Sequence, residues 1–549
     1  MKIPSETDQK WAFYQDIARK CKASQGPRRR FYSSMRNYYM YGYDASSQFP
    51  CKINKMYSHL DTLSSFLYSQ ETTRFAIQLG VSVAHAELKK VGPLNRGIQD
   101  EWCNSNTDIL YGNALLNALQ NGSSFIKPRW QVNGIEPFVV DAGNMGVLRE
   151  DSPMLSSQEA FTHDYYITQS DLADQLESHP RRLSILQQVV SGPKQSTSAI
   201  TPLDRIITSS SLPIVQGNVD LNLSLTTRYA PAVSEPLVAM TELYVFDSEI
   251  KDFRVVTLAD PYVLVYDRSL DYMFLKNDPP FVQICPLPSH DYFWGLSEIE
   301  RLVAIQELLN QRWDQIRHLQ ELQARPPKNF SGFEGITDEI AAAFDSPNGQ
   351  VNSPIPGAKV DNMAPQIPAD LFKDIDYLES KFEDASGINN VMSGKGESGV
   401  RSSGHASQLA RLGSSRVKKR AMVVEDSIEK LATMYLKIKQ KYDKRRYRED
   451  DEKGVQFIAD QFTEDFVVKV DGHSNSPIFV EDQTQLAFEL FKNKVITRER
   501  LLELISVPMR EQLISDVREV IEPAEQAAHE QEHQDKVRSI DAKRSGRHG

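Results

Sequence analysis

Gly295-Leu296-Ser297-Glu298-Ile299-Glu300 opens the stretch that decides the fold, and the basic run from Lys437 to Arg446 closes it. Ser297 carries the hydroxyl that caps a helix N-terminus, and Glu298 and Glu300 suit the positive end of a helix dipole. Apolar residues recur at Ile299, Leu302, Val303, Leu309, Trp313, Ile316, Leu319 and Leu322. That spacing predicts a helix over 296–323, about 40 Å long at 1.5 Å per residue. Pro326-Pro327 stops it. A second helix is predicted from Ala406 to Arg446, with the stripe Val417, Ala421, Val424, Ile428, Leu431, Tyr435, Ile438 and Tyr442. Its steps alternate four and three, the period of a core stripe or a bundle seam. The same period would also serve a ring of near-parallel helices from several copies.

Between the two patterns lies a Gly/Ser segment, Met392 to His405, with G-x-G-x-x-G at Gly394, Gly396 and Gly399. A dinucleotide site needs that turn between a strand and a helix. Here it follows a helical run, Pro368 to Asp384, so it reads as a flexible loop.

With 549 residues the chain has room for several structural regions, and its 25% charged and 40% hydrophobic residues are ordinary for a globular protein. No apolar run approaches the roughly 18 residues of a membrane span, and the first residues lack the apolar core of a secretory signal. Cys21, Cys51, Cys103 and Cys285 are widely spaced. This favours free thiols in a reducing compartment over disulfides or zinc. A net charge of −11 argues against a surface that grips nucleic acid throughout. It is compatible with a surface that lets nucleic acid slide past, because tight grip requires many phosphate contacts.

Taken in order, residues 5–24 predict an amphipathic helix that breaks at Gln25-Gly26-Pro27, and Arg28-Arg29-Arg30 follows. The aromatic run from Phe31 to Tyr43 suits packing on neighbouring helices better than base stacking, since no strand-borne aromatic pattern accompanies it. Ile53 to Leu67 predicts a helix, Phe75 to Leu79 a strand, and Leu94 to Leu119 one longer helix. Asn133-Gly134 between Phe125–Val132 and Ile135–Val140 predicts a hairpin. Residues 168–189 are helical with an interruption at Pro180, and residues 191–237 are irregular. Residues 238–288 are rich in β-formers and predict a small sheet just ahead of the long helix. Residues 325–368 hold seven prolines and predict irregular chain. Short strands follow at Val455–Ile458 and Phe466–Val470, then helices near 481–493, 498–505 and 510–521, and a polar tail expected to be disordered.

No P-loop, H-E-x-x-H or G-x-S-x-G is present. His529 and His533 stand at i,i+4 with no third ligand nearby, which reads as surface. The expectation is therefore no enzyme, no cofactor and no metal. Overall the chain predicts an α+β protein, mainly helical.

Several separated stretches resemble bacteriophage portal (head-to-tail connector) proteins, most like those of short-tailed phages. They are Asn54 to Leu79; Gly122, Lys127, Trp130 and Glu136 to Asp141; Gly295 to Ile299 with Gln306, Asn310 and Asp314; Ile355-Pro356-Gly357 before Leu378 to Ile388; and Ser403 to Ala406. Their order and spacing carry the resemblance, over roughly residues 50–150 and 240–510. It implies a ring of twelve copies at one capsid vertex, a channel for packaging and ejecting double-stranded DNA, and a platform for other proteins. The implied partners are a terminase, capsid and scaffolding proteins, and a tail adaptor. The implied location is the virion, with the host cytoplasm during assembly, and no membrane. It further implies an N-terminal wing (1–190), an irregular segment (191–237), a β-rich clip (238–294) and a stem helix (295–324). A wing with long helices (325–480), crown helices (481–521) and a polar tail (522–549) complete the scheme. The segment 392–405 would be the loop facing the channel, with Lys395, Arg401 and His405 touching DNA. Two other classes compete. A nucleotide-binding or nuclease enzyme would be stabilised by nucleotide. A different virion component, an adaptor or capsid subunit, would differ in its assembly symmetry.

Overall fold

In the computed structural model the described residues are 1–44, 53–68, 73–79, 85–131, 134–191, 237–260, 262–270, 278–326, 328–331, 338, 340, 356–357, 359–388, 415–449, 455–462, 466–470, 487–493, 495–498 and 501–502. The chain divides into two compact units. The first is Met1–Ser64, Leu110–Arg129 and Glu136–Arg416, and the second is Ser65–Ile109, Trp130–Ile135 and Val417–Gly549. Helices and sheets both contribute, so the fold is α+β as expected.

The first unit is built on a five-stranded antiparallel sheet in the order β4 (Met145–Val147), β5 (Ala160–Thr168), β6 (Leu237–Asp247), β7 (Asp252–Ala259), β8 (Val263–Ser269). Strand alternation gives it two apolar faces. Ala160, Leu243, Val245, Val256 and Leu258 meet Tyr14, Ile17, Ala18 and Cys21 of helix α1 (Thr7–Lys22). On the other face Phe161 stacks on Tyr244 with centroids 4.6 Å apart. That face packs with Tyr32 of α2 (Gln25–Tyr41), with Phe125 and with Trp294. Of the aromatic run after Arg28-Arg29-Arg30, Tyr32, Tyr38 and Tyr39 are buried on α2, whereas Tyr41 is exposed and Tyr43 lies past the helix end, and Tyr32 packs on the sheet rather than on a helix. Helices α6 (Gln169–Gln175) and α7 (Arg182–Ser191) cover Met240, Ala259 and Val265.

The β-formers at 238–288 do form strands ahead of the long helix, but in a larger sheet shared with other segments and not in a small one of their own. A sheet with two apolar faces needs cover on both sides, and that cover comes from 7–41 and 169–191. A strand partner, β5, comes from 160–168. The segment's last strand, β9 (Val282–Ile284), leaves the sheet and pairs with β2 (Ser124–Gln131), which also neighbours β3 (Gly134–Asp141). The hairpin is where Asn-Gly places it, although Val132 and Asn133 lie outside the described residues.

The long helix of the first unit starts later than the sequence suggests. Ser297 does accept hydrogen bonds from the Ile299 and Glu300 amides, at 3.1 and 3.3 Å. The next residues form turns, and the α-helix proper, α8, runs Val303–Ala324. Beyond it, residues 325–368 are not wholly irregular: β10 (Lys328–Ser331) pairs antiparallel with β11 (Lys359–Asn362). Helix α9 (Ala369–Ser386) then packs on α8 through Leu309, Ile316 and Ile375, flanked by Trp313, Leu371 and Leu378.

In the second unit β1 (Phe75–Leu79) pairs antiparallel with β14 (Phe466–Val470), Phe75 opposite Val470. The expected single helix over 94–119 is two, α4 (His85–Asn104) and α5 (Thr107–Asn121), the latter belonging from Leu110 onward to the first unit. The break is at Asn106, whose φ of +52° is a left-handed conformation that Asn tolerates. Helix α10 (Ser415–Tyr442) carries the predicted stripe, and Val417, Ala421, Val424, Ile428, Leu431, Tyr435 and Ile438 are all buried. Trp102 packs between Phe75 and Tyr435, 4.9 and 5.6 Å away. The helix stops four residues short of Arg446, and Arg446–Arg448 is a strand, β12, paired with β13 (Gln456–Ile458). Residues 487–492 are helical. The segment 191–237 (beyond Ser191 and before Leu237), the start of the second helix at 406–414, most of 481–521 and the tail lie outside the described residues.

Candidate functional site

Lys395, Arg401 and His405, the expected channel contacts, lie outside the described residues, as does the G-x-G-x-x-G segment. What the structure does bring together is part of the set that carried the resemblance: Gly122, Gly295 to Ile299, Gln306 and Asn310. Gly122, just past α5, and Gly295 face each other, with φ of +95° and +67°. A Cβ on Gly122 would lie 2.6 Å from the Trp294 carbonyl, and one on Gly295 would lie 2.3 Å from Cys285 Sγ. Only glycine suits both the backbone conformation and the space. The last carbonyls of α5 have no partner within the helix. The Glu298 amide donates to Leu119 O at 3.0 Å, and the Ser297 hydroxyl donates to Gln120 O. One turn later, Gln306 Nε2 donates to Asn310 Oδ1 at 2.8 Å, and Asn310 Nδ2 donates to Gly42 O, just past α2, at 3.0 Å. Both amides are almost fully buried. Segment 295–310 is therefore a polar clasp that ties α2 and α5 to α8. It holds the local geometry through these hydrogen bonds.

No known protein family matches the sequence. No curated protein matches it. Among solved structures the chain is similar to one described as the neck of an empty GTA particle computed with C6 symmetry. That likeness is 9% identical, has a TM-score of 0.39, and covers 82% of this chain and 89% of that chain.

Two further features stand out. In the second unit, the basic run from Lys437 to Arg446 is partly interior. Lys439 is 1% exposed, with Nζ 2.8 Å from Glu101 Oε2 and 3.3 Å from Asp443 Oδ2. Arg445 reaches the same two carboxylates, at 2.6 and 2.9 Å. The Tyr447 hydroxyl donates to Asp443 at 2.7 Å, and the Ile135 amide donates to Glu101 Oε1 at 2.7 Å. Burial by itself would raise both carboxyls, but these donors and cations override it. Glu101 is held below its ordinary value and Asp443 falls to about 2. Lys439 and Asp443 stand at i,i+4, a spacing left unread in the sequence, and Glu101, 338 residues away, gave no signal.

In the first unit, α8 and α9 cover each other on one side only. Leu308, Phe372 and Tyr377 remain 44%, 46% and 59% exposed. Around them α9 carries six acidic residues, Asp370, Asp374, Asp376, Glu379, Glu383 and Asp384, against Lys373 and Lys381. Both lysines pair within the helix, with Asp370 and Asp384. Arg312 of α8 pairs with Asp374. Among the described residues no cluster of His, Cys, Asp and Glu could hold a metal, and no helix is long and apolar enough to cross a membrane.

Proposed function

We propose that this chain is the subunit of a phage portal ring: a channel for DNA at one capsid vertex, with terminase, capsid, scaffolding and tail-adaptor proteins as its partners and no enzymatic activity of its own. The observation that carries this reading is the α8–α9 pair. Two helices of 22 and 18 residues share a thin core and leave Leu308, Phe372 and Tyr377 in solvent. Copies arranged side by side around an axis would cover that face. A single chain does not. The polar clasp at 295–310, whose residues also carry the sequence resemblance, would fix the angle at which α8 leaves the sheet.

On this reading α8 and α9 form the stem, and the β10–β11 ribbon between them takes the place of the clip. The β segment at 238–294 belongs instead to the wing, since its strands are built into the large sheet. The acidic surface of α9 supports a lining to which phosphates do not adhere.

The test is native mass followed by negative-stain imaging. Twelve copies of 62.3 kDa give 12 × 62.3, roughly 750 kDa, with a central hole. A closed shell or an extended sheet would point to a capsid subunit. A chain that stays monomeric even with scaffolding protein present would remove the ring reading.

A further inference from the structure

The first unit contains a cavity of about 950 Å³. It lies among α2, one face of α5, the β2–β3 hairpin and strand β5, and its apolar wall includes Leu110, Leu116, Phe138 and Ile167. This is the upper end of the range in which proteins hold small organic ligands, with an apolar wall and a few polar groups.

The charges of the cavity are almost all matched inside the protein. Lys127 contacts Glu242, which also accepts from the Tyr244 hydroxyl at 3.0 Å and lies 3.3 Å from His163 Nδ1. Arg129 pairs with Glu136 at 3.1 Å, and Asp164 pairs with Lys22 at 2.6 Å. Asp141 is enclosed, accepting from the Gly143 amide at 2.6 Å and from Asn117 at 3.5 Å. Arg36 has no such direct contact, although Asp141 on the same wall attracts it at longer range. It lines the cavity half-buried, and among the described residues it makes no hydrogen bond or ion pair. The side-chain amides of Asn113 and Gln120 line the same space, also without hydrogen bonds among the described residues. A half-buried guanidinium with no direct hydrogen bond, attracted only at longer range by Asp141, is costly to keep. A bound anion would relieve that cost, and the apolar wall would hold the body attached to it.

We propose that this cavity is a binding site for a small organic anion: a carboxylate head on Arg36, with amide donors nearby, carrying an apolar body of several carbons against Leu110, Leu116, Phe138 and Ile167. The test is calorimetric titration of the full-length protein with octanoate, octanamide and acetate. Octanoate should bind saturably, once per chain. Octanamide lacks the charge and acetate lacks the body, so each should bind at least about tenfold more weakly, the scale of a charge-assisted hydrogen bond or of several buried methylenes. Arg36→Gln should weaken octanoate at least about tenfold and leave octanamide unchanged, while Leu116→Trp should weaken both by filling the space.

Equal binding of octanoate and octanamide by the unaltered protein would overturn the proposal, and that comparison depends on no variant folding. So would octanoate binding at several weak sites, or binding that Arg36→Gln leaves intact. Binding of an apolar peptide with a free C-terminal carboxylate, with octanoate excluded, would replace it with a protein docking site. None of these outcomes bears on whether the chain forms a ring.

Discussion

Lys439 shows how one residue can hold distant parts of a chain in place. Its ammonium is buried, and Glu101 and Asp443 both depend on it. Replacing it with Met would leave two carboxylates in the interior with only Arg445, itself 53% exposed on its side chain, to balance them. Breaking a buried pair in this way costs about 3–5 kcal/mol. Lys439→Met is therefore expected to lower the urea midpoint clearly, while Lys437→Met, on the same helix but less buried, should shift it little. The same cluster sets a pH dependence. Asp443 is lowered from its ordinary 3.8 to about 2 in the folded protein. Because the folded value is the lower one, its contribution is fully present above about pH 4 and is lost as pH falls from there toward 2. Denaturation midpoints across pH 2–6 should show that loss, and Asp443→Asn should flatten it. Gly295 makes a separate case. Gly295→Ala places a methyl against Cys285 Sγ at positive φ, so it should destabilise by more than the ~1 kcal/mol that a glycine-to-alanine change gains where it fits. A stability within that margin of the unaltered protein would show that the clasp yields locally.

At the scale of elements, the α8–α9 pair makes the prediction. Phe372→Asp with Tyr377→Asp changes two exposed side chains, so the single chain should keep its unfolding midpoint to within about 0.5 kcal/mol per site. If copies cover this face, the same double change should shift the native mass from ring to monomer. An unchanged ring would place the contact elsewhere. Much of this level was legible in the sequence. The α10 stripe repeats at helical spacing and is buried almost residue for residue, and the Asn-Gly hairpin and strands β1 and β14 fall where alternation placed them. Two kinds of feature were hidden. Ser105-Asn106 looks like any helical pair, and only its φ of +52° divides α4 from α5. Strand β5 reads Ala-Phe-Thr-His-Asp-Tyr-Tyr-Ile-Thr, a polar and aromatic mixture whose β character comes from pairing with β6 across a gap of nearly seventy residues. The cavity at Arg36 was illegible for the same reason, since its walls come from four separate stretches and no local pattern marks them.

For the whole molecule, charge decides how DNA would meet a ring. Twelve copies at −11 carry 12 × −11 = −132 formal charges. Such an assembly attracts duplex DNA only where cations gather locally, and the proposed contacts are Lys395 and Arg401, with His405 beside them in the sequence. Binding that neutralises Z phosphates falls with salt as about −0.9Z on logarithmic axes. A passage that touches DNA lightly should give a shallow slope, shallower than about −3. A gripping surface with six or more phosphate contacts would give roughly −5 or steeper. Fluorescence anisotropy of a labelled duplex against the purified ring, from 50 to 300 mM salt, measures this directly. Lys395→Ala with Arg401→Ala should bring the slope toward zero, leave the ring mass unchanged and alter packaging or DNA retention. A steep slope in the unaltered ring would mean that cations dominate the DNA path despite the net charge. A shallow slope that the double variant does not change would remove those two residues from the channel and leave the acidic surface of α9 as the feature that governs DNA passage.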